Sequence, residues 1–180
     1  MIKTNFVLLF IIISLNNVLS QNNEEKIVFE SANPFSLNDI IDNLDIQEKQ
    51  TVSGKLTFPT QYKDSNKKFP VVIGVAGSLG WAKHHFEYLE MYRDMGIATF
   101  ELNSFKSRNI SSTVGSQNEV TIAAIILDAY RAFETLASHP NIDSDNISIT
   151  GWSLGGGVTL FSAWLPINNA INKNVKFKSH

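Results

Sequence analysis

The chain has 180 residues, 43% hydrophobic and 18% charged, with a formal net charge of −2. That balance supports a buried core and excludes a disordered tail, and the absence of a basic block in the body speaks against a nucleic-acid partner. Cysteine is absent, which removes disulfides, thiolate metal sites and a cysteine nucleophile together.

The chain opens with "MIKTNFVLLFIIISLNNVLS". Lys3 supplies a short positive region, Phe6 to Leu15 is an apolar block interrupted only by Ser14, and Val18-Leu19-Ser20 precedes Gln21. This is the layout of a secretory signal peptide. A spanning anchor needs about 20 apolar residues, and Asn16-Asn17 breaks this block well short of that. The expectation is an exported protein, periplasmic or secreted, cleaved near Ser20–Gln21, that meets a membrane only during export through residues 1–20. Residues 21–48 form a polar, acidic N-terminal extension in which "SANPFSLNDIIDNLD" reads as a loop or short helix; 49–180 carry the main domain.

From Lys49, "KQTVSGKLTFP" alternates Val52, Leu56 and Phe58 with polar residues, as a half-buried strand ending at Pro59 does. "YKDSNKK" is a charged turn. "FPVVIGVAG" is a continuous β-branched run that suits a strand covered on both faces. "HHFEYLEMYRDMG" predicts a helix presenting Phe86, Leu89 and Tyr92 to Met95 on one face, with Gly96 as its stop. "IATFEL" predicts another buried strand. After a polar loop, Ser116 and Glu119 stand as a capping box opening a long helix, Val120 to Ala137. Ala123, Ile126, Leu127, Tyr130, Phe133 and Leu136 fall on its apolar stripe. "HPNIDSDN" reads as a turn and "ISIT" as a short strand. Strands alternating with helices predict an α/β fold, a mostly parallel sheet with helices on both faces.

The last strand runs into Gly151-Trp152-Ser153-Leu154-Gly155, a G-x-S-x-G pentapeptide followed by an apolar helical run. In a sharp strand-to-helix turn the residues two before and two after the serine must be small. The turn lifts the hydroxyl above the sheet, and such strand-turn-helix serines are nucleophile elbows. The Leu154 amide, at a helix N-terminus, is then a donor for a developing oxyanion. A second donor is expected after the earlier buried strand, in "VAGSLGWAKHH", from the amides of Ser78 or Leu79.

These residues resemble the dienelactone-hydrolase-like α/β-hydrolases over about residues 50–180. The likeness rests on "FPVVIGVAGSLG", "HHFEYLEMYRDMGIATFELNSFKSR" and "STVGSQNEVTIAAIILDAYRAFETLASHPNIDSDNISITGWSLGG" with their spacing. It implies a partial α/β-hydrolase domain at 49–180 that lacks the C-terminal strands. It further implies a hydrolase of small esters or lactones with Ser153 as nucleophile, an oxyanion hole from Leu154 and the Ser78–Leu79 loop, and no cofactor or metal. The relatives' loop usually reads His-Gly-Ser-Gly-Gly, where this chain has Ala76 and Leu79 at the departing positions.

In that family the triad acid and histidine follow the nucleophile. After Ser153 there is no Asp or Glu, and His180 is the last residue. The sequence therefore reads as a fragment or a truncated form whose 180 residues are nearly inactive, with a truncated scaffold serving as a small-molecule or protein binding module as the alternative. Among upstream groups, His84 and His85 read as surface or helix-capping residues. His139, Asp143 and Asp145 belong to a turn, and Asp128 to a solvated helix face. Arg108, after the second apolar strand, is a candidate for an anionic substrate group, weighed against a solvated loop arginine.

Overall fold

The computed structural model describes residues 23–60 and 67–180. The expected signal segment 1–20, its cleavage site and most of the charged turn at 62–68 lie outside the described residues. Five strands form one sheet: β1 (Glu24–Ala32), β2 (Lys49–Thr57), β3 (Phe69–Val75), β4 (Ala98–Leu102) and β5 (Ile142–Gly151), in spatial order β1-β2-β4-β3-β5. β3 pairs in parallel with β4 and with β5, whereas β2 is antiparallel to both β1 and β4. Only β2 therefore runs against the rest, and the expected mostly parallel α/β sheet is what forms.

β1 adds a strand to the polar, acidic stretch 21–48, where no strand was expected. Ile27 and Phe29 alternate with outward Lys26, Val28 and Glu30, and the strand pairs along its full length with β2, Phe29 opposite Val52. Its charged outer positions suit a sheet edge, where charge discourages pairing with other chains. A helix, α1 (Leu37–Asp42), follows; Ser36 caps it, with Asp39 returning a bond to the Ser36 amide at 2.8 Å. Ile40 is fully buried, so the extension and the main domain share one core.

Side chains alternate across a strand, and β3 shows what each face packs against. Val71, Ile73 and Val75 join the core under the long helix α3 (Ile122–Ala137). Gly74 points the other way, to α2 (Lys83–Asp94), where an added Cβ would stand 3.2 Å from Leu89 and 3.0 Å from Trp81. Helices thus cover both faces. On α2 the buried residues are His85 and Leu89, while Phe86 and Met95 are exposed, so the expected apolar face is rotated. Gly96 ends it in the left-handed region, φ +82°, as expected.

α3 is buried on nearly every side, with Ala123, Ala124, Ala129 and Ala132 among its buried residues. Small side chains let a helix hydrophobic all round sit close between sheet and neighbouring helices. All six residues of the expected stripe are buried. The helix does not open at Ser116: Thr121 is the cap, its hydroxyl accepting the Ala124 amide at 3.1 Å and donating to the Pro34 carbonyl at 2.7 Å. The Thr121 bond to Pro34 is tertiary, and it places the first turn where local sequence alone favours Ser116.

β5 is longer than "ISIT". Ile142 pairs with Phe69 and Ile147 with Val71, so the residues between them bulge outward. Within the bulge Asp143 accepts the Asp145 amide at 3.2 Å and Asn146 Nδ2 at 2.8 Å, the turn-forming role expected of it. Two further helices, α4 (Leu154–Ser162) and α5 (Leu165–Asn172), complete the set. The tail then runs beside β5 in the same direction, Lys178 N donating to Ile147 O at 2.8 Å and Ile149 N to Ser179 O at 3.1 Å.

Candidate active site

Ser153 lies between β5 and α4 with φ 54° and ψ −113°, one of two non-glycine residues in the left-handed half of φ among the described residues. Such a backbone costs of order 1–3 kcal/mol and persists only where its surroundings over-determine it. Here they do. Trp152 N donates to Val75 O at 3.1 Å, Gly155 N to Trp152 O at 2.9 Å, and Gly157 N to Ser153 O at 3.1 Å. A Cβ on Gly151 would fall 2.1 Å from the Gly155 carbonyl oxygen, and one on Gly155 would fall 2.1 Å from Val75 O. Both flanking glycines are therefore required by backbone contact. The Ser153 side chain is exposed, and its hydroxyl has no hydrogen-bond partner among the described residues.

Leu154 is the first residue of α4, where backbone amides lack intrahelical partners and the helix dipole favours negative charge. The loop after β3 folds against the elbow: a Cβ on Gly77 would stand 3.2 Å from Trp152 O and 3.4 Å from Ser153 Cβ. Gly80, at φ +76°, closes this loop by donating to Gly77 O at 2.9 Å. Ser78 anchors it through its carbonyl, which accepts the Thr113 amide at 2.9 Å and Ser112 Oγ at 3.1 Å. The structure thus brings the loop bearing Ser78 and Leu79 beside Ser153 and Leu154.

Arg108 is a different matter, and its candidate substrate role is corrected. Its side chain is 5% exposed and forms a two-pronged pair with Asp128, at 2.7 and 3.1 Å. Nε donates to Asn33 Oδ1 at 2.8 Å, and the remaining N–H groups reach Ser104 O at 3.0 Å and Ala32 O at 3.2 Å. All five donors are occupied, so none is left for a ligand. Asp128, placed on a solvated face by its position in the sequence, is 0% exposed.

The histidines do not reach the serine. His85 Nδ1 accepts the Ala82 amide at 3.1 Å, the helix-capping role expected for this pair, while its ring stacks on Trp152 with centroids 4.5 Å apart. Burial, and then the neighbouring His84, hold its pKa below the ordinary histidine value. His139 pairs with Glu25 at 3.1 Å near the start of β3, at the opposite end of the strands from Ser153. His180 packs on Phe177 and bonds the backbone of Ser162, at the far end of α4; burial lowers its pKa also. No cluster of three or more His, Asp or Glu suited to a metal is found among the described residues.

Beyond the carboxyl ends of β3 and β4 lies a cavity of about 530 Å³. Val75, Ala76, Leu79 and Gly80 form one wall; Leu102, Phe105, Ile110 and Ile125 form the rest of its apolar lining. Trp81 closes a side, its indole donating to Leu102 O at 3.3 Å. Sequence periodicity does not reveal this cavity, because its walls come from four separate segments.

Comparison with known proteins agrees with this fold. No curated protein matches the chain. Among solved structures, m3DLH superposes with a TM-score of 0.53 at 18% identity, covering 78% of this chain and 54% of its own. The hypothetical protein PA2218 from Pseudomonas aeruginosa gives 0.51 at 18% identity, covering 86% and 41%. Ferulic acid-bound Est1E from Butyrivibrio proteoclasticus gives 0.50 at 16% identity, covering 63% and 43%. At these identities the likeness is one of fold, and the chain spans about half the length of the structures it matches. The model of the acetyl xylan esterase family (AXE1) matches residues 44–179, from the lead into β2 through the elbow to the tail beside β5. With the strained serine, its two flanking glycines and the loop after β3 all inside that match, the chain belongs to the acetyl xylan esterase family.

Proposed function

We propose that the protein is an exported serine-nucleophile hydrolase of carboxylic esters or lactones, with Ser153 as the attacking residue. The observation that carries this reading is the Ser153 backbone, held at positive φ by three hydrogen bonds and two glycines so that its hydroxyl stands exposed. Strain of this kind clusters at functional sites. In the first step Ser153 Oγ bonds to the ester carbonyl carbon and the alcohol leaves, taking up the serine proton through a base. Water then adds to the acyl-serine, releasing the acid and restoring the hydroxyl. The negative oxygen of each tetrahedral intermediate faces the amide of Leu154 and one from the Ser78–Leu79 loop. The family supplies the acetyl ester as a first substrate to try.

Export rests on the charge and apolarity of residues 1–20 alone. Mass spectrometry of the secreted protein should find Gln21 at its N-terminus; an intact Met1 in that fraction contradicts the reading.

A second reading, a binding module on a hydrolase scaffold, draws on the lack of any histidine or carboxylate bonded to Ser153 Oγ among the described residues. Removing triad members from a serine hydrolase leaves about 10³ to 10⁴ over the uncatalysed rate, so the 180-residue chain by itself should hydrolyse esters only at that level. The deciding experiment treats the full-length protein with a fluorophosphonate probe and a short-chain nitrophenyl ester. Labelling and turnover that vanish in Ser153→Ala support the enzyme. An unlabelled, inactive but folded protein supports the binding module.

A further inference from the structure

We propose that the cavity beyond β3 and β4 is the binding site for the acyl group of an ester substrate larger than acetyl: a medium-length aliphatic chain or an aromatic ring. This rests on the reading of Ser153 as nucleophile and adds the substrate class. Size is the first argument. The cavity holds about 530 Å³, within the range of roughly 300–1,000 Å³ typical of small-molecule sites, and far more than two carbons fill.

Placement is the second argument. The cavity wall Val75–Gly80 is the segment that packs on the elbow, since Val75 O accepts the Trp152 amide and Gly77 abuts Ser153 Cβ. Trp81, another wall residue, has its ring 6.1 Å from that of Trp152, the neighbour of the serine. An ester whose carbonyl lies at Ser153 therefore has this cavity one loop away.

Lining is the third. Leu102, Phe105, Ile110 and Ile125 line it beside the polar Asn103 and Ser104; the one ionisable lining residue, Lys106, is exposed, as is Asn109. An apolar group is favoured inside and a polar one is kept at the rim. The walls are already held open: Arg108 clamps the Ser104 carbonyl, and the Ser107 hydroxyl accepts the Ser53 amide at 3.0 Å.

The test measures binding apart from turnover. Calorimetry on full-length Ser153→Ala with ethyl acetate, ethyl butyrate and ethyl octanoate should show affinity rising about fourfold per methylene until the cavity fills. Ser111→Trp, which adds bulk at an exposed wall position, should remove most of that gain while leaving ethyl acetate unaffected. Ile110→Ala, which enlarges the cavity, should move the optimum to a longer chain, and thermal melts identify any variant that does not fold. Affinity that is flat with chain length, or unchanged by Ser111→Trp in a folded protein, overturns the proposal. Chain-length-dependent binding without turnover by the wild type keeps the cavity as an apolar ligand site but overturns the reading of Ser153 as nucleophile, and with it the assignment of that ligand as a substrate's acyl group.

Discussion

Arg108 and Asp128 meet in a side-chain pair that is almost wholly removed from water, and each of the five guanidinium N–H groups has an acceptor. Breaking such a pair from one side leaves a buried charge without compensation, which costs about 3–5 kcal/mol. Arg108→Met should therefore lower stability by about that amount in urea denaturation, whereas Arg108→Met with Asp128→Leu should lose much less than the sum of the single changes. Equal and additive losses would show that the two charges act separately. The same bonds join the end of β1, the loop after β4 and α3, so the single variant should also loosen the cavity wall. Ser153 is the opposite case: its hydroxyl is exposed and has no hydrogen-bond partner among the described residues, and its backbone strain is balanced by neighbours that have no room for a Cβ.

Helix starts are decided partly by local and partly by distant groups. Thr121 caps α3 and also donates to Pro34, a residue 87 positions away. Thr121→Ala should destabilise the protein by about 1 kcal/mol, while Ser116→Ala should change chemical denaturation by less than about 0.5 kcal/mol. The reverse order would restore the capping box at Ser116. At the start of α2, His85 is buried, stacked on Trp152, and its imidazole accepts an amide, a bond available only to the unprotonated ring. Its folded pKa is depressed, so the unfolded chain binds the proton more readily. Its contribution is present above the ordinary histidine pKa of about 6.5 and is lost as pH falls through that value toward the folded one. His85→Asn should flatten this acid-side decline in melting temperature; an unchanged slope would assign the decline to other groups, such as His180.

At the level of the whole molecule, the core is continuous from β1 to the tail, but one surface stays apolar. Leu160 and Leu165, at 70% and 69% exposure, stand with Phe161 and Trp164 where α4 passes into α5. Exposed apolar patches favour association. Leu160→Lys with Leu165→Lys should reduce dye binding and self-association in light scattering, with stability altered by less than about 0.5 kcal/mol. A loss of several kcal/mol would mean that these leucines are covered in solution.

Much of this architecture is legible in the order of residues. A continuous β-branched run marks β3 and an apolar run marks β4, the 3.6-residue stripe marks α3, and the G-x-S-x-G turn marks Ser153, because each signal is set by neighbours within a few residues. β1 also carries such a signal in Ile27 and Phe29, although the acidic residues around them obscure it. What the sequence by itself determined is the succession of elements from β2 to α4 and the position of the elbow, since periodicity and turn chemistry act locally. Tertiary structure alone decided the strand order, the cap of α3, the buried face of α2, the Arg108–Asp128 pair and the cavity beside the elbow. Each of these depends on groups far apart in the chain, and the free energy of burying a charge or filling a space exists only once those groups have met.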